Sequence, residues 1–304
     1  MKTKISIAIG LIGVITVLPR AWTQENAALK EKVEALFNKI SQSYRAKDFQ
    51  GLASTFTEDY QQIFGAIGRE VTVATIKTIL KPYEKVSESH TILDITQSGN
   101  MVKVIFDGKL EGKTGNEKWK TVDQSTSIAY LVQKNGVFKV YRSAGVDKYR
   151  LTNVKGHKYE DGQTGFSFAA PPGWDIFPSV HPIVQGTVYA LAPDKTSLAW
   201  FGFLRAPAGA QQAAEADEAS ARLLSAQDSY ELYKSGGITV TGHEGYEIES
   251  KFLIPTSEDR HRRRVYFNAS GLLYILCFDA IPANQWDKVK NDFQRILDTV
   301  KVGN

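Results

Sequence analysis

The residue types in this chain that could do chemistry fall into three groups. The densest charge is the run Arg260, His261, Arg262, Arg263, Arg264, which follows Glu258 and Asp259. Guanidinium groups grip carboxylate and phosphate oxygens through forked pairs of hydrogen bonds, so Arg260, Arg262, Arg263 and Arg264 form a candidate patch for an anionic headgroup or an acidic partner. A solvated sheet edge, where like charges discourage pairing with another chain, is the simpler expectation for the same residues. The second group is the carboxylates Asp107 and Asp123 with the phenols Tyr60, Tyr130 and Tyr141 and the indole of Trp119. Carboxylates take protons and phenols donate hydrogen bonds to a developing oxyanion, provided that the fold brings them into one enclosed space.

The third group is the five histidines, His90, His157, His181, His243 and His261, and the single cysteine, Cys277. The histidines are scattered with no partner at ligand spacing, and one cysteine cannot build a zinc framework, so no metal site is expected. Cys277 lies in the apolar run Leu272–Phe278, where a thiol behaves as a small buried apolar group rather than a nucleophile. No glycine-rich phosphate loop, Gly-x-Ser-x-Gly elbow or His-Glu-x-x-His motif occurs, so the sequence points to no cofactor and to no hydrolase or nucleotide class. Asn268, Ala269 and Ser270 match a glycosylation sequon, which reads as a chance match between two strands.

The elements that would position these residues begin after a leader. Lys2 and Lys4 precede the apolar stretch Ile5 to Leu18, and Pro19 closes it. As a helix that stretch would reach about 21 Å, short of the roughly 30 Å hydrocarbon core, so residues 1–23 read as a signal peptide with no membrane span left after its removal. Export to a bacterial periplasm or to the medium follows as an expectation. Of 37 basic residues, Lys2, Lys4 and Arg20 belong to the leader, which leaves 34 against 33 acidic ones. So balanced a charge argues against a nucleic-acid partner.

The length favours two domains, 26–150 and 159–304, with a linker at 151–158. In the first, Val33, Leu36, Phe37, Ile40 and Tyr44 recur at helical spacing. A short helix is expected through Leu52 and Phe56, and another from Thr72 to Leu80 before Pro82. Four strands follow at 89–97, 101–112, 117–132 and 137–145, with Asn135-Gly136 as the clearest hairpin turn. Val102, Val104 and Phe106 mark one face of the second strand, and Lys103, Asp107 and Lys109 the other, which reads as the solvent side. The segment Tyr44 to Phe56, YRAKDFQGLASTF, with Thr57, Glu58 and Asp59 and the strands after them, resembles the nuclear transport factor 2-like (SnoaL-like) superfamily over residues 30–150. The resemblance implies a cone, a curved antiparallel sheet on helices with an apolar cavity at its open end. It also implies cavity enzymes similar to ketosteroid isomerase or scytalone dehydratase, or non-enzymatic binding and dimerisation modules. In such a cavity Tyr60, Asp107, Trp119, Asp123, Tyr130 and Tyr141 are the candidate lining residues, and none is assigned as catalytic.

In the second domain Phe166 and Phe168 alternate as a strand does, Pro171 and Pro172 stop it, and Gly173 permits a tight turn before Trp174. Strands are expected at 186–193 and 197–205, and a long alanine-rich helix from Ala210 to Lys234, ended by Gly236 and Gly237. A half-buried strand through Tyr246, Ile248, Ser250, Phe252 and Ile254 follows, then a hairpin about Gly271. A closing helix carries Trp286, Val289, Phe293, Ile296, Leu297 and Val300. The motifs GFSFAAPPGW, GHEGYEIES and GLLYILCFDA, the last leading to Gln285 and Trp286, make residues 158–302 similar to the PsbP-like fold. That family holds a photosystem II extrinsic subunit, a Ran-binding nuclear protein and many exported bacterial proteins. It implies an antiparallel sheet sandwiched by helices and no reaction. The fold class expected is therefore α+β in two domains. The function expected is an exported, non-enzymatic binding or interaction protein whose partner is a small apolar ligand, another protein or a second copy joined through the first domain. A cavity enzyme of isomerase or dehydratase type and an extrinsic subunit of an envelope complex are the alternatives.

Overall fold

The structure is a computed structural model that describes residues 24–63, 67–180, 184–205, 208–225, 229–253 and 259–303. The leader expected at 1–23 lies outside the described residues, as do His181, Ile254 and Glu258. Among the described residues no helix is long and apolar enough to cross a membrane.

The N-terminal half comprises α1 (Gln24–Ala46), α2 (Phe49–Ser54), β1 (Phe56–Gln62), α3 (Arg69–Leu80), β2 (Lys85–Ser98), β3 (Met101–Lys113), β4 (Lys120–Lys134) and β5 (Val137–Gly145). The sheet order is β1-β5-β4-β3-β2. Asn135 and Gly136 both take positive φ, 52° and 79°, in the tight turn between β4 and β5. Strand β1 differs from expectation: Phe56 opens a strand parallel to β5 instead of ending a helix. The cause is Asp48, whose side chain caps α2 by accepting from Gly51 N. That cap starts α2 at Phe49, and the helix ends at Ser54, leaving Phe56 and Tyr60 to enter the core as strand residues. The helical stripe of α1, Val33, Leu36 and Phe37 with Ile40 and Tyr44, packs against Val102, Val104, Ala129, Leu131 and Val140 on the inner face of the sheet.

The C-terminal half begins with a small sheet of β6 (Val154–Lys155), β7 (Lys158–Glu160) and β8 (Ser167–Ala169). Then come β9 (Asp175–Pro178), β10 (Gln185–Leu191), β11 (Leu198–Leu204), α4 (Ala210–Leu224), β12 (Glu231–Val240), β13 (His243–Leu253), β14 (Asp259–Ala269), β15 (Leu272–Ala280) and α5 (Trp286–Thr299). The large sheet has the order β12-β13-β14-β15-β11-β10-β9, antiparallel throughout. Gly173, at φ 85°, turns the chain so that Trp174 packs edge-on against Phe293 of α5, 5.8 Å between ring centroids. The helix expected to reach Lys234 stops at Leu224, and Glu231–Val240 is a strand paired along its length with β13. Ladder hydrogen bonds to a neighbouring strand outweigh the modest helix preference of Glu-Leu-Tyr-Lys, and the two glycines sit inside that strand. Asn268 accepts a hydrogen bond from Ala210 N at 3.0 Å, which gives the sequon asparagine a capping role at the start of α4.

The face of the first sheet that carries Lys103 reads as the solvent side, and it is open at Asp107 and Lys109, whose side chains are 37% and 42% exposed, but covered at its Lys103 end. Ile128, Tyr130 and Val146, with Met101 and Ile105, form one buried cluster with Phe177, Tyr189, Leu191 and Leu198 of the large sheet. Lys103 Nζ lies 3.1 Å and Lys195 Nζ 2.5 Å from the Asp175 carboxylate at this junction. Burial opposes the charge on Asp175, but Lys195 and Lys103 hold its carboxyl below the ordinary range. The two halves therefore share a core.

Candidate functional site

Between α1, β1, α3 and the inner face of the first sheet lies a cavity of about 410 Å³. Its walls are Phe37, Ile40 and Tyr44 of α1, Phe56 and Tyr60 of β1, Thr72, Ile76 and Ile79 of α3, and Phe106, Ala129 and Val140 of the sheet. The volume falls in the roughly 300–1,000 Å³ range of small-molecule sites.

The wall also carries polar groups, and those around Glu88 are held in specific contacts. Glu88 and His90 are two apart on β2, so both side chains project to the inner side. Both are mostly buried, with 12% of each side chain exposed. Ser41 on α1 is buried and donates to Glu88 Oε2; its Oγ also lies 3.2 Å from His90 Nδ1 and 3.1 Å from Phe37 O. His90 Nδ1 is 3.8 Å from Glu88 Oε2, and the imidazole packs 4.9 Å from the Phe37 ring. Glu88, Tyr44, Tyr60 and Asp123 all line the cavity, and Asp123, an exposed residue, receives a hydrogen bond from Ser125 at 3.1 Å. Burial, and then the charge of Glu88, holds the Tyr44 phenol well above its ordinary range. Burial likewise raises Tyr60, whose hydroxyl is 2.7 Å from Ser143 Oγ.

Of the candidate lining residues, the fold brings Tyr60 and Asp123 to the cavity and leaves four elsewhere. Asp107 is on the opposite face, where it accepts from Thr126 Oγ1 at 2.5 Å and from Lys148 Nζ at 3.0 Å; these bonds lower its carboxyl. Tyr130 is fully buried in the core shared by the two halves, with Lys195 Nζ 5.1 Å from its ring. Trp119 is 45% exposed in the loop before β4. The Tyr141 ring stacks under Arg142 at 3.9 Å.

The arginine run lies on β14, an interior strand paired with both β13 and β15, so it is no sheet edge. Arg262 holds Asp279 in a forked pair, Nε to Oδ1 at 2.5 Å and Nη2 to Oδ2 at 2.8 Å. Arg264 pairs with Asp217 of α4, and the Tyr266 hydroxyl donates to that carboxylate at 2.9 Å. On the other face Arg263 Nε donates to the buried Glu247 at 2.9 Å, which Lys234 also contacts. Arg260 is 4% exposed. Cys277 is fully buried beside this cluster, and burial pushes its thiol up to about 11. Among the described residues no group of three His, Cys, Asp or Glu side chains is placed to hold a metal ion.

No family model and no curated protein matches the chain. Solved structures similar to it include a candidate scytalone dehydratase from Novosphingobium aromaticivorans, 19% identical, covering 40% of this chain and 87% of that one with a TM-score of 0.35. Cyanobacterial PsbP from Synechocystis is 19% identical, covering 48% of this chain and 91% of that one, at a TM-score of 0.38. Aln2 from Streptomyces is 14% identical, covering 39% and 89%, at 0.35. Each is a likeness of fold over less than half of this chain.

Sequence reasoning passed over Ser41, Glu88 and His90. The available signal was the Glu-x-His spacing in a strand that faces the helix carrying Ser41, since residues two apart share a face. It was obscured because the strand was expected to begin at residue 89, which left Glu88 outside it, whereas β2 begins at Lys85.

Proposed function

We propose that the protein is exported and binds a small, largely apolar molecule in the cone of its N-terminal half, residues 26–150, a SnoaL-like domain. Residues 159–304, a PsbP-like domain, serve as a protein-contact module. The observation that carries this reading is the cavity: apolar over most of its accessible wall, open to solvent, with the Glu88 carboxylate and the Tyr44 and Tyr60 phenols among its polar groups. Such a composition binds by burying apolar surface and orients by a few hydrogen bonds. The balanced charge of the chain beyond the leader and the internally paired arginines favour neither nucleic acid nor a polyanion as partner.

The test is native mass spectrometry of protein from the periplasmic or secreted fraction, with Gly108→Leu beside it. Gly108 lines the cavity, and a Cβ there meets only ordinary contacts, Phe106 at 3.7 Å and Ser125 O at 3.9 Å. A larger side chain at 108 therefore enters the cavity without disturbing the strand. The expected result is a retained small molecule in the native protein that is missing from the variant. Ligand retention that is indifferent to Gly108→Leu would place the ligand outside the cavity and sink the reading. A second reading is favoured by one observation: a buried carboxylate with hydroxyl and imidazole partners shares its cavity with the Tyr60–Ser143 hydroxyl pair. That is equipment for proton abstraction next to a carbonyl. Glu88-dependent exchange of solvent deuterium into a bound carbonyl compound would establish an isomerase-type enzyme.

A further inference from the structure

We propose that the molecule taken up by the cavity carries a protonated amine, received by Glu88. This inference rests on the cavity reading above and adds the chemical class of the ligand's polar end.

The argument begins with the two oxygens of Glu88. Oε2 is satisfied by Ser41 and lies toward His90; Oε1 accepts from no group among the described residues. An ionised carboxylate can only accept hydrogen bonds, so a ligand meeting Oε1 must bring a donor. Elsewhere in the wall the Tyr60 hydroxyl is taken up within the chain: it lies 2.7 Å from Ser143 Oγ, and Thr72 is buried next to Tyr60.

Charge then separates the donors. The lining holds two carboxylates, Glu88 and Asp123, and one cation, Lys109. The Lys109 ammonium lies 2.7 Å from Glu111, which is outside the lining, and so is committed elsewhere. An anionic head group would meet like charge and no free cation. A neutral alcohol could donate to Oε1 but would bring no charge to the carboxylate, whose one ionisable neighbour given within 4 Å is the His90 imidazole, on the side of Oε2. A protonated amine both donates and compensates, and a hydrogen bond between charged partners is about twice as strong as a neutral one. The apolar walls, Phe37, Ile76 and Phe106 among them, dictate that the remainder of the ligand be hydrocarbon.

Three probes with the same cage and different heads test this directly: 1-aminoadamantane, 1-adamantanol and adamantane-1-carboxylate, titrated calorimetrically into the full chain at pH 7. The amine is expected to bind about tenfold or more tighter than the carboxylate and measurably tighter than the alcohol, as a charge-assisted bond predicts. Glu88→Gln should erase the amine's advantage while leaving alcohol affinity within about threefold, which also shows that the variant is folded. Gly108→Leu should abolish binding of all three. An amine preference that survives Glu88→Gln, or a carboxylate that binds as well as the amine, overturns the proposal. If the alcohol binds and Gly108→Leu removes it but the amine gains nothing, the ligand class is wrong and the cavity reading stands. If none of the three binds, both fall.

Discussion

The two large sheets treat their faces differently. The five-stranded sheet gives its inner face to α1 and α3, with a cavity between them and the strands, and part of its outer face to the second half of the chain. The seven-stranded sheet fills one face with α5 and the small three-stranded sheet, and divides the other between the first half and α4. The first keeps an apolar-walled cavity between its helices and sheet, while the second pairs its strand arginines with carboxylates of the same chain. The Glu88 site keeps an unpartnered oxygen, whereas Arg262, Arg263 and Arg264 each close on a carboxylate of the same chain. A dense run of charge in sequence is thus no sign of free charge at the surface, since the fold can bring its members counter-charges of their own.

The largest effect that sharpens this contrast belongs to Asp279, which is 3% exposed and held in the fork of Arg262. Asp279→Ala leaves a buried guanidinium without its partner and is expected to lower stability by about 3–5 kcal/mol at pH 7. Burial works against the Asp279 charge, but Arg262 with its hydrogen bonds holds the carboxyl below its ordinary range. A depressed folded-state pKa contributes stability that is present above the unfolded value, about 3.9, and is lost as pH falls through the folded value. The difference between variant and native protein in urea should therefore shrink on acidification to about pH 3 and below, through the loss on the native side. A deficit under about 1 kcal/mol at neutral pH would mean that the cluster is loosely held and open to outside anions after all.

The junction of the halves comes next. Leu191 is fully buried in the core they share, and Leu191→Ala is expected to remove about 2–5 kcal/mol. Because that core belongs to both halves, the native chain should unfold in one calorimetric transition and the variant in a broadened or divided one. Two separate transitions in the native protein would contradict the shared core.

How much of this was legible in the sequence depended on whether one face of an element was free. The stripe of α1 and the apolar face of α5 stood out because each helix buries one side against a sheet, and the Asn135-Gly136 hairpin because its turn demands positive φ. Strand β4 illustrates what stayed hidden. Ile128, Ala129, Tyr130 and Leu131 are all buried since the strand is covered on both faces, and a continuous apolar run, unlike alternation, says that a face is covered without saying by what. The same covering put Tyr130 in the core shared by the halves, away from the cavity, while Asp107, whose strand face read as the solvent side, stays partly exposed beside Lys148. The arginine run was misread for a related reason: Arg262 and Asp279 are 17 residues apart and become partners only through the pairing of β14 with β15.

The smallest effect makes the contrast within two glycine substitutions. At Gly108 a Cβ would stand in the cavity wall, with its nearest neighbour at 3.7 Å, and the backbone there is ordinary strand. Gly108→Ala should raise stability by about 0.5–1 kcal/mol, because the glycine's extra conformational freedom in the unfolded chain is removed and nothing in the folded state resists. At Gly245, in β13, the same Cβ would collide with Tyr266 O and lie 3.0 Å from the Phe267 Cβ. A backbone oxygen cannot rotate aside as a side chain can, so Gly245→Ala is expected to lower stability by about 1–3 kcal/mol through displacement of β14. Thermal unfolding of the two single variants, read against the native chain, gives opposite signs if one sheet borders open space and the other is packed to its limit. Equal signs would mean that the cavity wall closes on itself in solution, and the room for a ligand at Glu88 would go with it.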